Sequence, residues 1–229
     1  MNVKIISSTQ NPLDTMAYAA SRCYMSEPNE AVVKSCWKSG HRSIAEHCYF
    51  TFEITGVSRA CLAQLTRHRI ASYSVTSQRY VDCGDFDMVM PHSIDIDNKS
   101  KEVFNDCISV IRDSYKTLQD LGQANENARS VLPNACSTNI VMTINLRSLA
   151  NFMNERLCKR AQDEINMLAR RMKSAVLSLS VWSDEFRTFL DKNILVPKCE
   201  KEELHFCPEH KGCGRHKKAN EINAILENE

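Results

Sequence analysis

The alternation of apolar and polar residues predicts three β-strands along the chain. Residues Val3–Ile6 alternate weakly, and the aromatic-rich segment Cys48–Ile54 alternates clearly. The β-branched segment Thr138–Leu146 is typical of a buried strand. From Arg69 to Arg79 the chain is rich in serine and threonine and loses its apolar periodicity, so this segment is predicted to be a loop.

Apolar residues at helical spacing predict several helices between and after these strands. The predicted helices are Leu13–Tyr24, a helix from about Pro28 to Gly40, Val57–Arg67 with Ser58 near its start, Lys101–Leu121, Asn125–Leu132, Arg147–Cys158 and Gln162–Trp182. No internal repeat is evident. This mixture of strands and long helices favours an α+β fold over a doubly wound sheet, and we expect a single domain with a mixed or antiparallel sheet packed by long helices.

The composition limits the partners that this chain can bind. A length of 229 residues suits one domain of ordinary size, or one domain with an appendage, and a hydrophobic fraction of 43% is sufficient for a core. The formal net charge of +1 gives no global attraction to nucleic acid or membranes, so anion binding must come from locally placed arginines. No signal peptide and no run near the ~20 apolar residues of a membrane span is evident, so a cytoplasmic protein is expected.

The 11 cysteines are expected to be mostly reduced thiols, because no secretory signal accompanies them. Most of them lie within segments of apolar periodicity, where a thiol behaves as a small hydrophobic group. These are Cys23, Cys36, Cys48, Cys61 and Cys107.

The segment 67–80, with the sequence RHRIASYSVTSQRY, carries the strongest chemical signal in the chain. Arginine side chains and serine hydroxyls donate the several hydrogen bonds that a phosphate or pyrophosphate accepts. On the preceding predicted helix, Gln64, Arg67 and His68 fall at positions i, i+3 and i+4, so they are expected to share one face. The residues alone therefore indicate a phosphorylated ligand, against the alternative of a solvated basic turn.

The pattern RHR-x7-S in this segment resembles the signature of the flavin-dependent thymidylate synthases. The resemblance extends to GHRSIAEH at 40–47, to ENARSVLP at 126–133, to TINLRSLANF at 143–152 and to Arg156 with AQDEI at 161–165. These blocks occur in the family's order and span roughly residues 3–190. The resemblance implies methylation of dUMP to dTMP with FAD as cofactor and with NADPH and methylenetetrahydrofolate as co-substrates, in a homotetramer whose sites are shared between subunits.

The resemblance also implies roles for individual residues. The residues expected to contact FAD are Arg67, His68, Arg69, Ser43, Asn145, Arg147 and Asn151, with His41 near the flavin ring and the folate. The residues expected to surround dUMP are Gln64, Ser77, Gln78, Arg79, Arg129 and Arg156. Arg156 is expected to polarise the uracil, since a guanidinium stabilises developing negative charge without losing its own proton. Ser77 is expected to bind and position the substrate, because no base is evident beside it and an unassisted hydroxyl is a poor nucleophile.

Three positions depart from patterns that are frequent in the family. Val75 stands where a carboxylate is common, Arg160 where some relatives have a histidine, and Ala63 where some have a basic residue. None of these departures removes a group that the chemistry requires, but each is expected to affect ligand affinity.

The residues after 195 form a separate extension that is rich in cysteine and histidine. We therefore predict a catalytic domain over residues 1–195 and an extension over 196–229. Cys199, Cys207, His210 and Cys213, with His205 and His216 nearby, offer donors for a tetrahedral zinc, but they lack the paired C-x2-C spacing of a strong zinc motif. A disulfide or a turn without metal is the alternative, and residues 217–229 resemble a short polar helix or a frayed tail.

Three other functions remain open from the sequence. A nucleic-acid-binding module would bind DNA or RNA in a salt-sensitive way without flavin, although the neutral net charge argues against it. A zinc-stabilised scaffold would be colourless and would unfold with a chelator. A flavin-free thymidylate synthase requires a cysteine nucleophile, and Cys136 in LPNACST does not have the context of one.

Overall fold

A four-stranded antiparallel sheet organises the fold. The computed structural model describes residues 1–201, 206–218 and 220–221. The strands are β1 (Asn2–Ser8), β2 (Tyr49–Ser58), β3 (Ala71–Val75) and β4 (Ser137–Asn145), in the order β1-β2-β4-β3. The hydroxyls of Thr51 and Thr143 lie 3.0 Å apart, while the Gly56 amide donates to Asn139 Oδ1 at 3.2 Å, so β2 and β4 run in opposite directions. The α+β prediction is confirmed, with the antiparallel form of the sheet.

The strand β3 was not predicted, because residues 69–79 were assigned to a loop. Ala71, Tyr73 and Val75 are partly buried, whereas Ser72 and Ser74 between them are exposed. The segment therefore has the two-residue period of a half-buried strand, but its polar positions are serines and one of its apolar positions is only an alanine. The loop prediction is wrong for Ala71–Val75.

Nine α-helices lie in the part of the chain that the structure describes. They are α1 (Pro12–Tyr24), α2 (Glu30–Lys38), α3 (Arg59–Leu65), α4 (His92–Asp95), α5 (Asn98–Asp120), α6 (Asn125–Ala128), α7 (Leu146–Arg156), α8 (Asp163–Leu177) and α9 (Asp184–Phe189). Short helical turns occupy Ser43–His47, Arg129–Val131, Leu190–Ile194 and Lys198–Glu200.

Side-chain caps explain where several of these helices begin. Ser58 accepts a hydrogen bond from the Cys61 amide at 2.9 Å, so α3 starts at Arg59 rather than at the predicted Val57. Asn29 caps α2 through the Ala31 amide at 2.9 Å, which moves its start from Pro28 to Glu30. The predicted helix Gln162–Trp182 ends at Leu177, and the separate helix α9 was missed.

The chain divides into two compact units, one of residues 1–2, 53–69 and 73–142 and the other of residues 3–52, 70–72 and 143–229. In the first unit a small apolar cluster forms around Phe86, Ile108 and Cys136. In the second unit Phe50, Trp182 and Phe186 pack in series, with ring centroids 6.3 Å and then 5.5 Å apart. The predicted boundary between residues 195 and 196 stays a prediction.

All 11 cysteines are free thiols. Cys48 and Cys61 are buried as expected of small hydrophobic groups, and Cys36 is partly buried. Cys23 and Cys107 are exposed, so for these two the prediction was wrong; on α5 the buried position is Ile108 instead. No helix among the described residues is both long enough and apolar enough to cross a membrane.

Candidate functional site

The turn after α3 presents two arginines to solvent. Because α3 ends at Leu65, Arg67 and His68 lie beyond the helix, and the prediction that they share a helix face with Gln64 was wrong. The Tyr73 hydroxyl donates to the carbonyls of Leu65 at 3.1 Å and His68 at 2.8 Å, which fixes the path of the turn. Burial of Tyr73 raises its pKa to about 12, so this donor keeps its proton at neutral pH.

The side chains of this turn differ in their surroundings. Arg67 and Arg69 are exposed, and neither guanidinium has a partner among the described residues. His68 is partly buried, and the Gln64 amide contacts the carbonyl of Ala60 in its own helix at 3.5 Å. Two cationic groups two positions apart in one turn, with no carboxylate partner in the part of the chain that the structure describes, are well suited to a pyrophosphate.

The loop after β3 contains the predicted substrate-binding residues Ser77, Gln78 and Arg79. The Ser77 hydroxyl accepts a hydrogen bond from the Arg79 amide at 3.2 Å. No basic side chain among the described residues contacts this hydroxyl, so the geometry gives Ser77 no activation as a nucleophile. The Gln78 amide lies 3.5 Å from Cys136 Sγ.

Arg79 and Arg129 meet at one acidic residue. Arg79 Nε lies 2.6 Å from a carboxylate oxygen of Glu126, and Arg129 Nε donates to the Glu126 carbonyl at 3.2 Å. Because this contact is made by Nε, the two terminal nitrogens of the Arg79 guanidinium can bind a ligand. The structure thus brings together two of the arginines that were predicted to surround dUMP.

Arg59 is a residue of this region that the sequence did not indicate. Its guanidinium donates to the Thr76 carbonyl at 2.7 Å, directly before Ser77. Its Nε is buried and has no hydrogen-bond partner among the described residues. Because 17 residues separate Arg59 from Thr76, no local sequence pattern reveals this contact.

In the second unit, a helical turn and the start of α7 carry the remaining predicted flavin contacts. Glu46, in the turn Ser43–His47, forms an ion pair with Arg147. The Asn145 side chain accepts a hydrogen bond from the Ser148 amide at 2.8 Å and so caps α7, a role that the sequence analysis did not assign to it. Asn151 is exposed one turn after Arg147.

His41 and Ser43 lie close to each other in sequence, and both side chains are exposed. Between them, Arg42 stacks over the ring of Trp37, with its guanidinium carbon 4.9 Å from the ring centroid. The His41 amide donates to the Cys36 carbonyl at 2.8 Å, so the backbone is anchored while the imidazole faces solvent.

Arg156 lies at the end of α7 beside a cavity of about 240 Å³ within the second unit. The Asn166 amide donates to the carbonyls of Arg156 at 2.7 Å and Cys158 at 3.1 Å, which holds the segment after the helix. Asn154 and Arg160 also line this cavity. Arg156 is partly buried whereas Asn151 is exposed, and the five-residue spacing puts the two side chains on different faces of α7.

A larger cavity of about 860 Å³ lies in the first unit, but its charges are unsuitable for an anion. Its lining includes Asp82, Asp85, Asp87 and Asp120. The pKa of Asp82 is lowered, mainly by the Gly84 amide and then by the Gln119 side chain, so this carboxylate stays charged. Lys116 is the one cation among the lining residues, so we do not assign the phosphorylated ligand to this cavity.

Cys136 and Cys48 are poor candidates for a nucleophile. Burial raises the pKa of the Cys136 thiol, and the nearby Cys83 raises it further. Burial raises the pKa of Cys48 to about 12. Both thiols are therefore protonated at neutral pH, and the thiolate is the nucleophilic form.

The three departures lie in different surroundings. Val75 is partly buried in β3, and Ala63 is exposed on α3. Arg160 donates to the carbonyl of Lys211 in the extension. Of the predicted zinc donors, Cys199, Cys207 and Cys213 line the cavity beside Arg156, whereas His210 is exposed and His205 lies outside the described residues, as do 219 and 222–229 of the predicted tail.

Comparisons with known proteins cover most of the chain. A family model described as thymidylate synthase complementing protein matches residues 4–180. A flavin-dependent thymidylate synthase of Geobacter sulfurreducens is 42% identical over 75% of this chain and 80% of its own length. The corresponding protein of Nitratidesulfovibrio vulgaris is 37% identical over 93% of this chain and 94% of its own.

A solved structure is also similar. The flavin-dependent thymidylate synthase of Helicobacter pylori, complexed with FAD and dUMP, matches with a TM-score of 0.63 and 28% identity, over 82% of this chain and 97% of that one. The span of the family model includes every predicted site residue from His41 to Arg156 and ends before the cysteines of the extension.

Proposed function

Since this chain belongs to the thymidylate synthase complementing protein family, we propose that it methylates dUMP to dTMP as a flavin-dependent thymidylate synthase. The observation that carries the proposal is the turn after α3, where Arg67 and Arg69 are exposed and have no partner among the described residues. An anionic ligand is a partner that suits this pair of guanidinium groups.

The residues of this chain fit FAD as the cofactor. Arg67 and Arg69 would hold its pyrophosphate, and the two hydrogen bonds from Tyr73 keep the turn in place for it. Ser43, Asn145, Arg147 and Asn151 would complete the binding, with His68 beside the pyrophosphate. Arg147 would keep its orientation through Glu46.

The residues around the loop 77–79 suit a nucleoside monophosphate. The terminal nitrogens of Arg79, together with Arg129 and the Ser77 hydroxyl, would bind the phosphate. The amides of Gln64 and Gln78 offer both donors and acceptors, which a uracil edge needs. The partly buried guanidinium of Arg59 would act indirectly, by holding the Thr76 carbonyl and with it the loop.

Arg156 would act on the base itself. Its guanidinium would polarise the uracil and stabilise the negative charge that develops as the base ionises. Asn166 fixes the backbone of Arg156, so the point from which its side chain reaches the base would be held in place.

The carbon and the reducing equivalents come from the ligands. When bound, FAD that NADPH has reduced supplies the hydride that completes the methyl group, and methylenetetrahydrofolate supplies the carbon. The exposed imidazole of His41 would contact the folate.

We further propose a homotetramer in which several subunits contribute to each site. The exposed face of α5 supports this assembly, because Val103 and Val110, 70% and 65% exposed, lie at helical spacing with the exposed Cys107 between them. An apolar stripe of this kind is typical of a surface that a partner covers.

The test is the release of tritium from dUMP labelled at the ring carbon that receives the methyl group. The complete reaction contains FAD, NADPH and methylenetetrahydrofolate, and each is omitted in turn. We expect release and dTMP formation that require all three, and a large loss of turnover in Arg156→Lys. Arg22→Lys, which changes an exposed arginine on α1, is the matched control.

Two outcomes would count against the proposal. A protein that binds FAD and dUMP but releases no tritium would be a relative that has lost the reaction. A protein that binds neither ligand would contradict the assignment.

A further inference from the structure

The C-terminal extension brings metal donors together from two separate segments. The thiol of Cys199, a carboxylate oxygen of Glu200 and an imidazole nitrogen of His216 all lie within 4.8 Å of one another. All three residues are partly buried. Tetrahedral zinc ligands are about 3.3–3.8 Å apart at the usual bond lengths, so a shift of roughly 1 Å would close this set around an ion.

Both segments are anchored in the fold. Cys199 and Glu200 belong to the helical turn Lys198–Glu200. The segment that carries His216 is closed by a bridge between Cys207 and Lys218, in which the Cys207 amide donates to the Lys217 carbonyl at 2.8 Å. The donors are therefore held close to each other without the ion, which reduces the ordering that binding requires.

A fourth donor is available from the cavity beside Arg156. Cys158, Cys199, Cys207 and Cys213 all line it. Cys158 is partly buried, and its carbonyl is fixed by Asn166, whereas Cys213 is exposed. Cys207 Sγ lies only 3.5 Å from the position that a Cβ atom on Gly212 would occupy, so this thiol packs against the backbone of Gly212.

We propose that Cys158, Cys199, Glu200 and His216 form a tetrahedral Zn²⁺ site. Thiolate, imidazole and carboxylate donors together favour Zn²⁺ over Mg²⁺ or Ca²⁺, which prefer oxygen alone. The ion pair between Arg215 and Glu200 Oε1 at 2.7 Å holds the carboxylate in place, and Arg215 offsets the excess negative charge of two thiolates and a carboxylate.

The site differs from the set Cys199, Cys207, His210 and Cys213 that the sequence suggested. The spacing within 207–216 drew attention to His210, but His210 is exposed while His216 lies 3.8 Å from Glu200. Cys158 is 41 positions before Cys199 in the sequence, so its thiol joins the site only in the folded chain. The ion would connect the extension to the segment between Arg156 and Arg160, where Arg160 already binds the Lys211 carbonyl. This site does not depend on the proposed function.

The test is a Co²⁺ titration of the full chain, purified under reducing conditions and stripped of metal. We expect about one Co²⁺ per chain, with the absorption of thiolate–cobalt charge transfer, and displacement by Zn²⁺. Cys199→Ser and His216→Gln should weaken binding by more than the ~10–100-fold typical of losing a group that merely orients a ligand. His210→Gln and Cys213→Ser are the matched controls and should bind as the wild type does.

The assignment of the fourth ligand has its own readout. Cys158→Ser should lower the thiolate absorption per bound cobalt and weaken binding, while Cys158→His should restore affinity with the lower absorption. The site would be disproved if the wild-type chain bound no Co²⁺ or Zn²⁺ in stoichiometric amount. It would equally be disproved if binding required His210 and Cys213 but tolerated Cys158→Ser and His216→Gln.

Discussion

At the level of single residues, the Thr76 carbonyl is the point through which Arg59 acts on the loop 77–79. A partly buried guanidinium whose Nε is shielded from solvent without a hydrogen-bond partner among the described residues is costly unless its position is useful. Arg112 has a similar arrangement elsewhere in the same unit, since it donates to the Phe86 carbonyl at 2.7 Å, and its Nε is also buried without a partner among the described residues.

This pair of arginines provides a matched test. We expect Arg59→Lys to raise the KM for dUMP by about 10-fold, because a loop displaced by a fraction of an ångström loses aligned contacts. Arg112→Lys should lower stability to a similar extent but leave this KM unchanged. Steady-state kinetics in the tritium-release assay measures both, and equal increases in KM would remove the specific role of Arg59.

Tyr73 makes the stability of the first unit depend on alkaline pH. Burial raises its pKa from 10.0 to about 12, so the folded state holds this proton more tightly than the unfolded chain does. The stabilisation is fully present below pH 10 and is lost as the pH rises towards 12. We expect Tyr73→Phe to destabilise the protein by roughly 0.5–1.5 kcal/mol at pH 7, through the lost hydroxyl hydrogen bonds.

The same difference should shrink as the pH is raised. Urea unfolding of the wild type and Tyr73→Phe at a series of pH values between 8 and 12 measures it. A difference that stayed constant to the highest pH would show that the hydroxyl does not titrate as proposed.

At the level of elements, the start of α7 combines a structural role with a proposed functional one. Asn145 caps the helix through its side-chain oxygen, while the same side chain has an amide nitrogen that the cap does not use. Asn145→Ala removes both groups, whereas Asn145→Asp keeps the acceptor and places a negative charge where the helix dipole favours it.

These variants separate capping from flavin binding. We expect Asn145→Ala to lose about 1 kcal/mol of stability, and Asn145→Asp to stay within about 0.5 kcal/mol of the wild type. Both should bind FAD more weakly if the amide contacts the flavin, as fluorescence quenching would measure. Normal FAD affinity in Asn145→Asp would limit Asn145 to its role as a cap.

The sequence predicted elements with strong periodicity and failed where the signal depended on tertiary contacts. The strands β1, β2 and β4 and the helices α1, α5, α7 and α8 were predicted with shifted ends. The strand β3 was missed because its polar positions are serines, and serine-rich segments are also common in loops. The first residues of α2 and α3 are determined by the N-caps Asn29 and Ser58. Hydrophobic periodicity alone does not detect such caps, although the cap residues are present in the sequence.

The residues of the candidate site likewise fall into those that the sequence indicated and those that only the fold reveals. Arg67, Ser77 and Arg156 could be recognised because they lie in blocks that resemble one family. The contacts of Arg59 with Thr76, and of Arg147 with Glu46, join positions that are distant in sequence, 17 residues apart in the first case and 101 in the second. Glu200 and His216 similarly come together only in the folded extension, and the spacing of cysteines and histidines in the sequence did not predict that they would be neighbours.

At the level of the whole molecule, the exposed face of α5 is where the proposed tetramer can be tested. Val110→Glu places a charge in the apolar stripe, and a buried unpaired charge is strongly unfavourable. We expect this variant to dissociate into smaller species and to lose tritium release, because the proposed sites need several subunits. Light scattering on a sizing column measures the mass.

Ser109→Glu is the control for this test. It adds the same charge at the neighbouring exposed position, outside the stripe, and should leave the mass unchanged. A wild-type monomer with full activity, or an unchanged mass in Val110→Glu, would exclude this surface as the subunit contact.

The order of strands in the sheet has a consequence for how the chain is synthesised. The contacts between β2 and β4 join residues 83 and 92 positions apart, and a contact from the end of β3 to β4 spans 63. β2 therefore leaves the ribosome long before its central neighbour exists, with the large aromatic side chains of Phe50 and Phe52 still uncovered. During that interval its open edge can pair with other nascent chains. Expression at lower temperature or with chaperones should consequently raise the yield of correctly folded protein.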